Sequence, residues 1–298
     1  MAIHQLLEKK GSIFSDRPND YVVSMIDSGG LALWDNNPHL RAERKVTSTS
    51  LAPIQVEEKL RRIQETETAI LIRDLISSPH QFHSHVKRAT VSIADIVAWG
   101  FRAPTYDNFW ASGACEVSDA LFAGITPGTY PPVDQFPFLK YLPDIVSPWR
   151  PRAKQLKQRV DYFWADARRR LDDRRRKGDK RDSIADSLLD GATSFDVPLT
   201  DRQFNDYLGF LVAAGSDTTA GSILTSIRYL AAYPHVQKKA QAEIDNACGA
   251  DRSVQILQVF VDTLAYSFLF CRSPVWPDHD KLPYINCIIK EGMRINPV

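Results

Sequence analysis

Gly215-Ser216-Asp217-Thr218-Thr219 sets small residues, a carboxylate and two neighbouring alcohols into five consecutive positions. The run Phe210-Leu211-Val212-Ala213-Ala214 precedes them and Ala220 follows, so a polar cluster interrupts an apolar stretch of helix formers. A carboxylate beside a hydroxyl can relay protons, the acid linking to solvent and the alcohol donating to a reacting group. Gly215 makes a groove beside them, at a cost of roughly 1 kcal/mol to a helix relative to alanine. Thr218 is placed to bond back to the carbonyl of Ala214 and open the helical ladder locally. The bland reading of these residues is a satisfied Asp-Thr cluster that bends its helix. A local rule broken inside an otherwise consistent element points instead to function.

A second constellation lies in Lys290-Glu291-Gly292-Met293-Arg294-Ile295-Asn296-Pro297. Glu291 and Arg294 are i,i+3 neighbours and can pair on a helix surface. Pro283 suits the start of that helix and Pro297 its end. Ile285, Ile288, Ile289 and Gly292 form one stripe, and Cys287, Glu291 and Arg294 another. Taken alone, the pair reads as an exposed helix pair.

Long helices must position both groups. Thr200, with Gln203 three residues on, reads as a capping box, and no proline follows until Pro234. The run 200–233 is therefore expected to form one rod about 50 Å long at 1.5 Å per residue. Further helices are expected over 1–10 (ended by Gly11), 40–47, 55–77, 82–99, 152–177, 183–189 and 234–247. Between Pro127 and Pro151 the composition shifts to proline and aromatics. Neither internal repeats nor a low-complexity linker is evident.

The 298 residues are 44% hydrophobic, enough for a sizeable core. With 37 basic against 36 acidic residues, nothing in the charge points to nucleic acid or to an anionic surface. The run Arg168 to Lys177 is broken by Asp172 and Asp173 and reads as a solvated helix end entering a surface loop. Cys115, Cys248, Cys271 and Cys287 show no metal-ligand spacing and are expected to be buried free thiols. No signal peptide is evident, because His4, Glu8, Lys9 and Lys10 interrupt any apolar run. A spanning segment of about 18 unbroken apolar residues is likewise lacking.

Ala214-Gly215-Ser216-Asp217-Thr218-Thr219 resembles the oxygen-activating segment of cytochrome P450, Ala/Gly-Gly-x-Asp/Glu-Thr-Thr/Ser. The run Glu291 to Arg294 resembles the family's Glu-x-x-Arg helix, proline stop included. Near the start, Gly11 to Pro18 is similar to the family segment "LLEKRGSIYSDRP". The resemblance covers almost the whole chain and is of the fungal, microsomal type. It implies a mostly α, partial cytochrome P450 fold, a single incomplete domain over 1–298 with a long central helix and surrounding helices. The terminal sheet, the cysteine loop, the membrane anchor and the first strands are expected to be absent.

The implied activity is that of a haem-thiolate monooxygenase. It activates O2 on haem b with electrons from NADPH-cytochrome P450 reductase and hydroxylates a small lipophilic substrate, in secondary or xenobiotic metabolism. Asp217 and Thr218 would deliver protons. Ala214, Gly215 and Thr218 would line the cofactor. Arg44, perhaps joined by Arg41, would clamp a haem propionate. In this role Leu40-Arg41-Ala42-Glu43-Arg44 lacks the indole of the family's Trp-x-x-x-Arg, and surface arginines are the competing reading. Glu291 and Arg294 would form the family's buried structural pair. Phe136, Phe138 and Tyr141, in Val133 to Pro143, resemble the mobile cover of the substrate cavity; a hydrophobic loop packed on the core is the plainer alternative.

The family's Phe-x-x-Gly-x-x-x-Cys-x-Gly signature does not occur, since Gln241 and Ile244 stand where Cys248 would need Phe and Gly. Without an axial thiolate the iron cannot push electron density onto bound oxygen, so the chain as written is expected to be inactive. A haem-free helical remnant, acting as a binding module or without function, is the alternative. Segment 254–272 is apolar and unlike its flanks, and reads as an unspliced intron; a hydrophobic hairpin or membrane-touching insert are the other readings. The family lies on the cytoplasmic face of the endoplasmic reticulum, and an anchorless chain would be cytoplasmic.

Overall fold

The hydroxyl of Thr200 accepts from the amide of Gln203 at 3.3 Å, and the Gln203 side chain accepts from the amide of Thr200 at 3.0 Å. This reciprocal cap opens the longest helix of the computed structural model, which describes residues 2–14, 20–26, 37–248 and 274–297. All regular structure among the described residues is helical. Segment 254–272 and Cys271 lie outside them.

In chain order the principal helices are α1 (Pro38–Ser50), α2 (Arg61–Ser77), α3 (Phe82–Trp99), α4 (Ala114–Ile125), α5 (Trp149–Arg176), α6 (Ile184–Leu189), α7 (Asp201–Ala232), α8 (Pro234–Cys248) and α9 (Pro283–Ile295). Two compact units divide the chain, Met1–Asp217 and Thr218–Val298, and the division falls inside α7.

Within the first unit, burial of aromatic rings carries the core. Trp99 stacks on Trp164 at 6.0 Å and Phe101 on Trp110 at 4.4 Å. Glycines let the helices approach closely. A Cβ at Gly113 would lie 2.7 Å from the ring of Phe163, and one at Gly124 would overlap Leu156. Helix α4, which the sequence pattern did not disclose, packs on α5 through these positions. Its polar exposed side is short, Glu116 and Asp119, with alanines continuing it. An ion triad centred on a buried carboxylate joins α2 to α3 and the residues after it: Glu67, 1% exposed, accepts from buried Arg88 and from the more open Arg102, each at 2.5 Å.

The sequence reading needs correcting at several points. The first helix is a π-helical turn over His4–Glu8, and Gly11 opens a further short helix, Gly11–Phe14, instead of ending the run. The basic run at the end of α5 is not all solvated. Arg174, 5% exposed, donates to Asp186 at 2.6 Å and to the carbonyl of Trp99 at 3.3 Å. A buried carboxylate on α6 draws the cation inward, which the alternation of signs in sequence does not show. Cys115 is a buried free thiol, but Cys287 is exposed.

In the second unit, Glu243 of α8 accepts from the amides of Tyr284 and Ile285 at 2.8 and 2.9 Å. Those are donors of the first turn of α9, which has no side-chain cap of its own. Lys239 lies 4.3 Å from the ring centroid of Tyr284. Asn296 ties the far end of α9 back to α7, donating to the Thr225 hydroxyl at 3.0 Å.

Candidate functional site

The polar segment of α7 separates into two faces. Val212, Ala213, Ser216 and Ala220 are buried, whereas Gly215, Thr218 and Thr219 are exposed and Asp217 is half-buried. Ser216 turns its hydroxyl back on the helix, donating to the carbonyl of Val212 at 2.7 Å. Sequence reasoning gave Ser216 no role. Among the described residues, a Cβ built on Gly215 would meet the Cβ of Ala94, at 3.8 Å. That is ordinary contact, so packing does not require a glycine there.

Burial pushes the carboxyl of Asp217 up from its ordinary value; the charge of Asp119 adds to this and that of Lys87 opposes it. Lys87 on α3 and Asp119 on α4 are paired at 3.1 Å. Neither was singled out in the sequence, since 32 positions separate them. Nearby, burial lifts the thiol of Cys115 to about 12. Asp95 of α3 is wholly buried, and desolvation raises its carboxyl well above the ordinary 3.8.

Helix α1 begins where Asn37 accepts from the amide of Leu40 at 2.9 Å, with Pro38 in the first turn. Leu40, Ala42, Glu43 and Val46 form its buried side, and Arg41 and Arg44 its exposed side. The helix is fixed to α7 by the Thr47 and Tyr207 hydroxyls, 3.0 Å apart. Tyr207 precedes Asp217 by about 15 Å along α7 at 1.5 Å per residue. Arg44 has no ion pair or hydrogen bond among the described residues and is open to an anionic group.

Glu291 and Arg294 do pair on α9, bidentately, at 2.7 and 2.8 Å. The expectation of a buried pair is overturned: the side chains are 54% and 70% exposed. Exposure leaves water to solvate both charges, so the pair is a weak lock here. The apolar residues Ile289 and Met293 of the same helix are also exposed. Phe136, Phe138 and Tyr141 stand 50%, 61% and 86% exposed, so these rings do not pack as a loop on the core. Among the described residues no group of His, Cys, Asp and Glu could hold a metal ion, and no helix is long and apolar enough to cross a membrane.

A family profile described as Cytochrome P450 matches residues 1–298. The cytochrome P450 monooxygenase acuD of Aspergillus aculeatus is 32% identical over 298 residues, covering 99% of this chain and 52% of its own. The cytochrome P450 monooxygenase macC of Penicillium terrestre is 31% identical over 302 residues, covering 99% of this chain and 53% of its own. The chain thus spans about half the length of the curated relatives it matches. A zebrafish cytochrome P450 solved with progesterone shares the fold at a TM-score of 0.72 and 20% identity, over 99% of this chain and 64% of that one. Motifs, helical architecture and relatives agree, and the chain belongs to the cytochrome P450 family.

Proposed function

We propose that this chain supplies the oxygen-side surface of a haem-thiolate monooxygenase that hydroxylates a small lipophilic molecule. The observation that carries this reading is the exposed face of Gly215, Thr218 and Thr219 on a helix whose neighbouring residues are packed. When bound, haem b supplies the O2 and one-electron chemistry that no side chain can provide.

The residues at hand fit one side of that group. Gly215, with Ala214 before it, leaves room for a flat ring against α7. Thr218, on the exposed face, donates a hydrogen bond from its hydroxyl. Asp217, half-buried and with its carboxyl raised by burial, is placed to exchange a proton with water. Arg44, joined by Arg41, binds a propionate; both are exposed along one side of α1. Cys115 does not fit the iron: it is 3% exposed, and its thiol, lifted to about 12, stays protonated. In the whole protein, electrons would come from NADPH-cytochrome P450 reductase.

Titrating the chain with haem and following its absorption tests the reading. Saturation at one haem per chain is expected, and Arg44→Ala should weaken binding about tenfold through loss of a charge-assisted bond. Binding that never saturates would sink the proposal and leave a haem-free helical module.

A further inference from the structure

Lys87 of α3 donates from Nζ to both carboxylate oxygens of Asp119 on α4, at 3.1 and 3.4 Å. The lysine side chain is 17% exposed and the aspartate 57%. The ammonium is drawn down between helices while its partner stays in water. Val91 and Ala94, four and seven residues beyond Lys87, share its face of α3. Val91 is fully buried, and Ala94 is the residue nearest a Cβ at Gly215. This stripe therefore runs against α7 at the polar segment, with Lys87 about 10 Å along the α3 axis from Ala94.

Other titratable groups surround the pair. Cys115 of α4 lies in the field of Lys87, Asp217, Asp119 and Asp95. Tyr106, in the loop before α4, lies in that of Cys115, Lys87, Asp119 and Glu116. Among the described residues, Lys87 is the cation and Asp119 the carboxylate whose charges act on Asp217.

We infer that Lys87 and Asp119 are positioning residues for Asp217, with Asp119 holding the lysine on the solvent side so that it does not commit to Asp217. The inference rests on the reading of Asp217 as the proton-delivering acid. An Asp217 locked to an ammonium would stay a carboxylate and pass nothing on. Left partly unpaired, it takes a proton from water, yields it to a hydroxyl hydrogen-bonded to the reacting group, and returns to the carboxylate. The burial that raises its carboxyl works in the same sense.

The test is a carbon-13 NMR titration of the Asp217 carboxyl in the haem-free full chain, assigned with Asp217→Asn. Lys87→Gln should raise the midpoint and Asp119→Asn should lower it, each by at least about half a pH unit, while Lys87→Arg leaves it near the parent. Midpoints unmoved in both variants, or moved in one direction by both, would overturn the inference. Circular dichroism confirms folding, and if Lys87→Gln does not fold, the exposed Asp119→Asn decides alone. Because no haem is present, failure to bind haem and failure of this coupling are separate results.

Discussion

At Gly209, α7 passes so close beneath the indole of Trp164 that an added Cβ would overlap the ring, whereas at Gly215 an added Cβ would meet, among the described residues, the Cβ of Ala94 at 3.8 Å. Both glycines sit in the interior of one helix, where each costs roughly 1 kcal/mol against alanine. The first offsets that cost by letting α7 and α5 pack around buried Tyr207 and Leu208. The second receives no such return from the described residues. A glycine kept where described packing would accept a side chain, on a face exposing Thr218 and Thr219, is what the haem-binding reading expects of this turn.

The largest effect that would break the comparison is expected at the packed end. Gly209→Ala should destabilise the first unit by about 1–3 kcal/mol, the usual cost of overfilling a tight core, read from a denaturant midpoint. An unchanged midpoint would mean that α7 is free to shift.

Asp95 comes next, as a buried acid on the helix that runs against Gly215. Its carboxyl is raised by desolvation, so the folded chain holds a proton that the unfolded chain releases near 3.8. Stability should fall as pH rises from about 4 through the folded value and level off above it. Asp95→Asn should flatten that part of the profile. A parent profile already flat there would show that Asp95 is charged and solvated.

The smallest effect belongs to the open end: Gly215→Ala should stabilise the chain by about 0.5–1 kcal/mol. A loss similar to that at Gly209 would erase the contrast.

Local signals made much of this legible. Thr200, Gln203 and Pro234 delimited α7, and Pro283 and Pro297 framed α9. The polar segment stood out because it violated the apolar pattern around it. What stayed hidden depends on partners distant in sequence. The Glu67 triad spans 35 positions, Lys87 and Asp119 are 32 apart, and Arg174 is buried by Asp186 on another helix. Periodicity reports the face of one helix, not the charge that a second helix brings to it. Helix α4 was missed because its polar side is only Glu116 and Asp119. The Glu291–Arg294 spacing foretold the pair and could not tell its exposure.

The central claim is that haem lies against the exposed face of α7, and Gly215→Leu tests it most directly. Haem affinity should fall at least about tenfold, with helicity and thermal midpoint held at the parent level or above. Parent-like haem affinity in the folded Gly215→Leu chain would contradict the account.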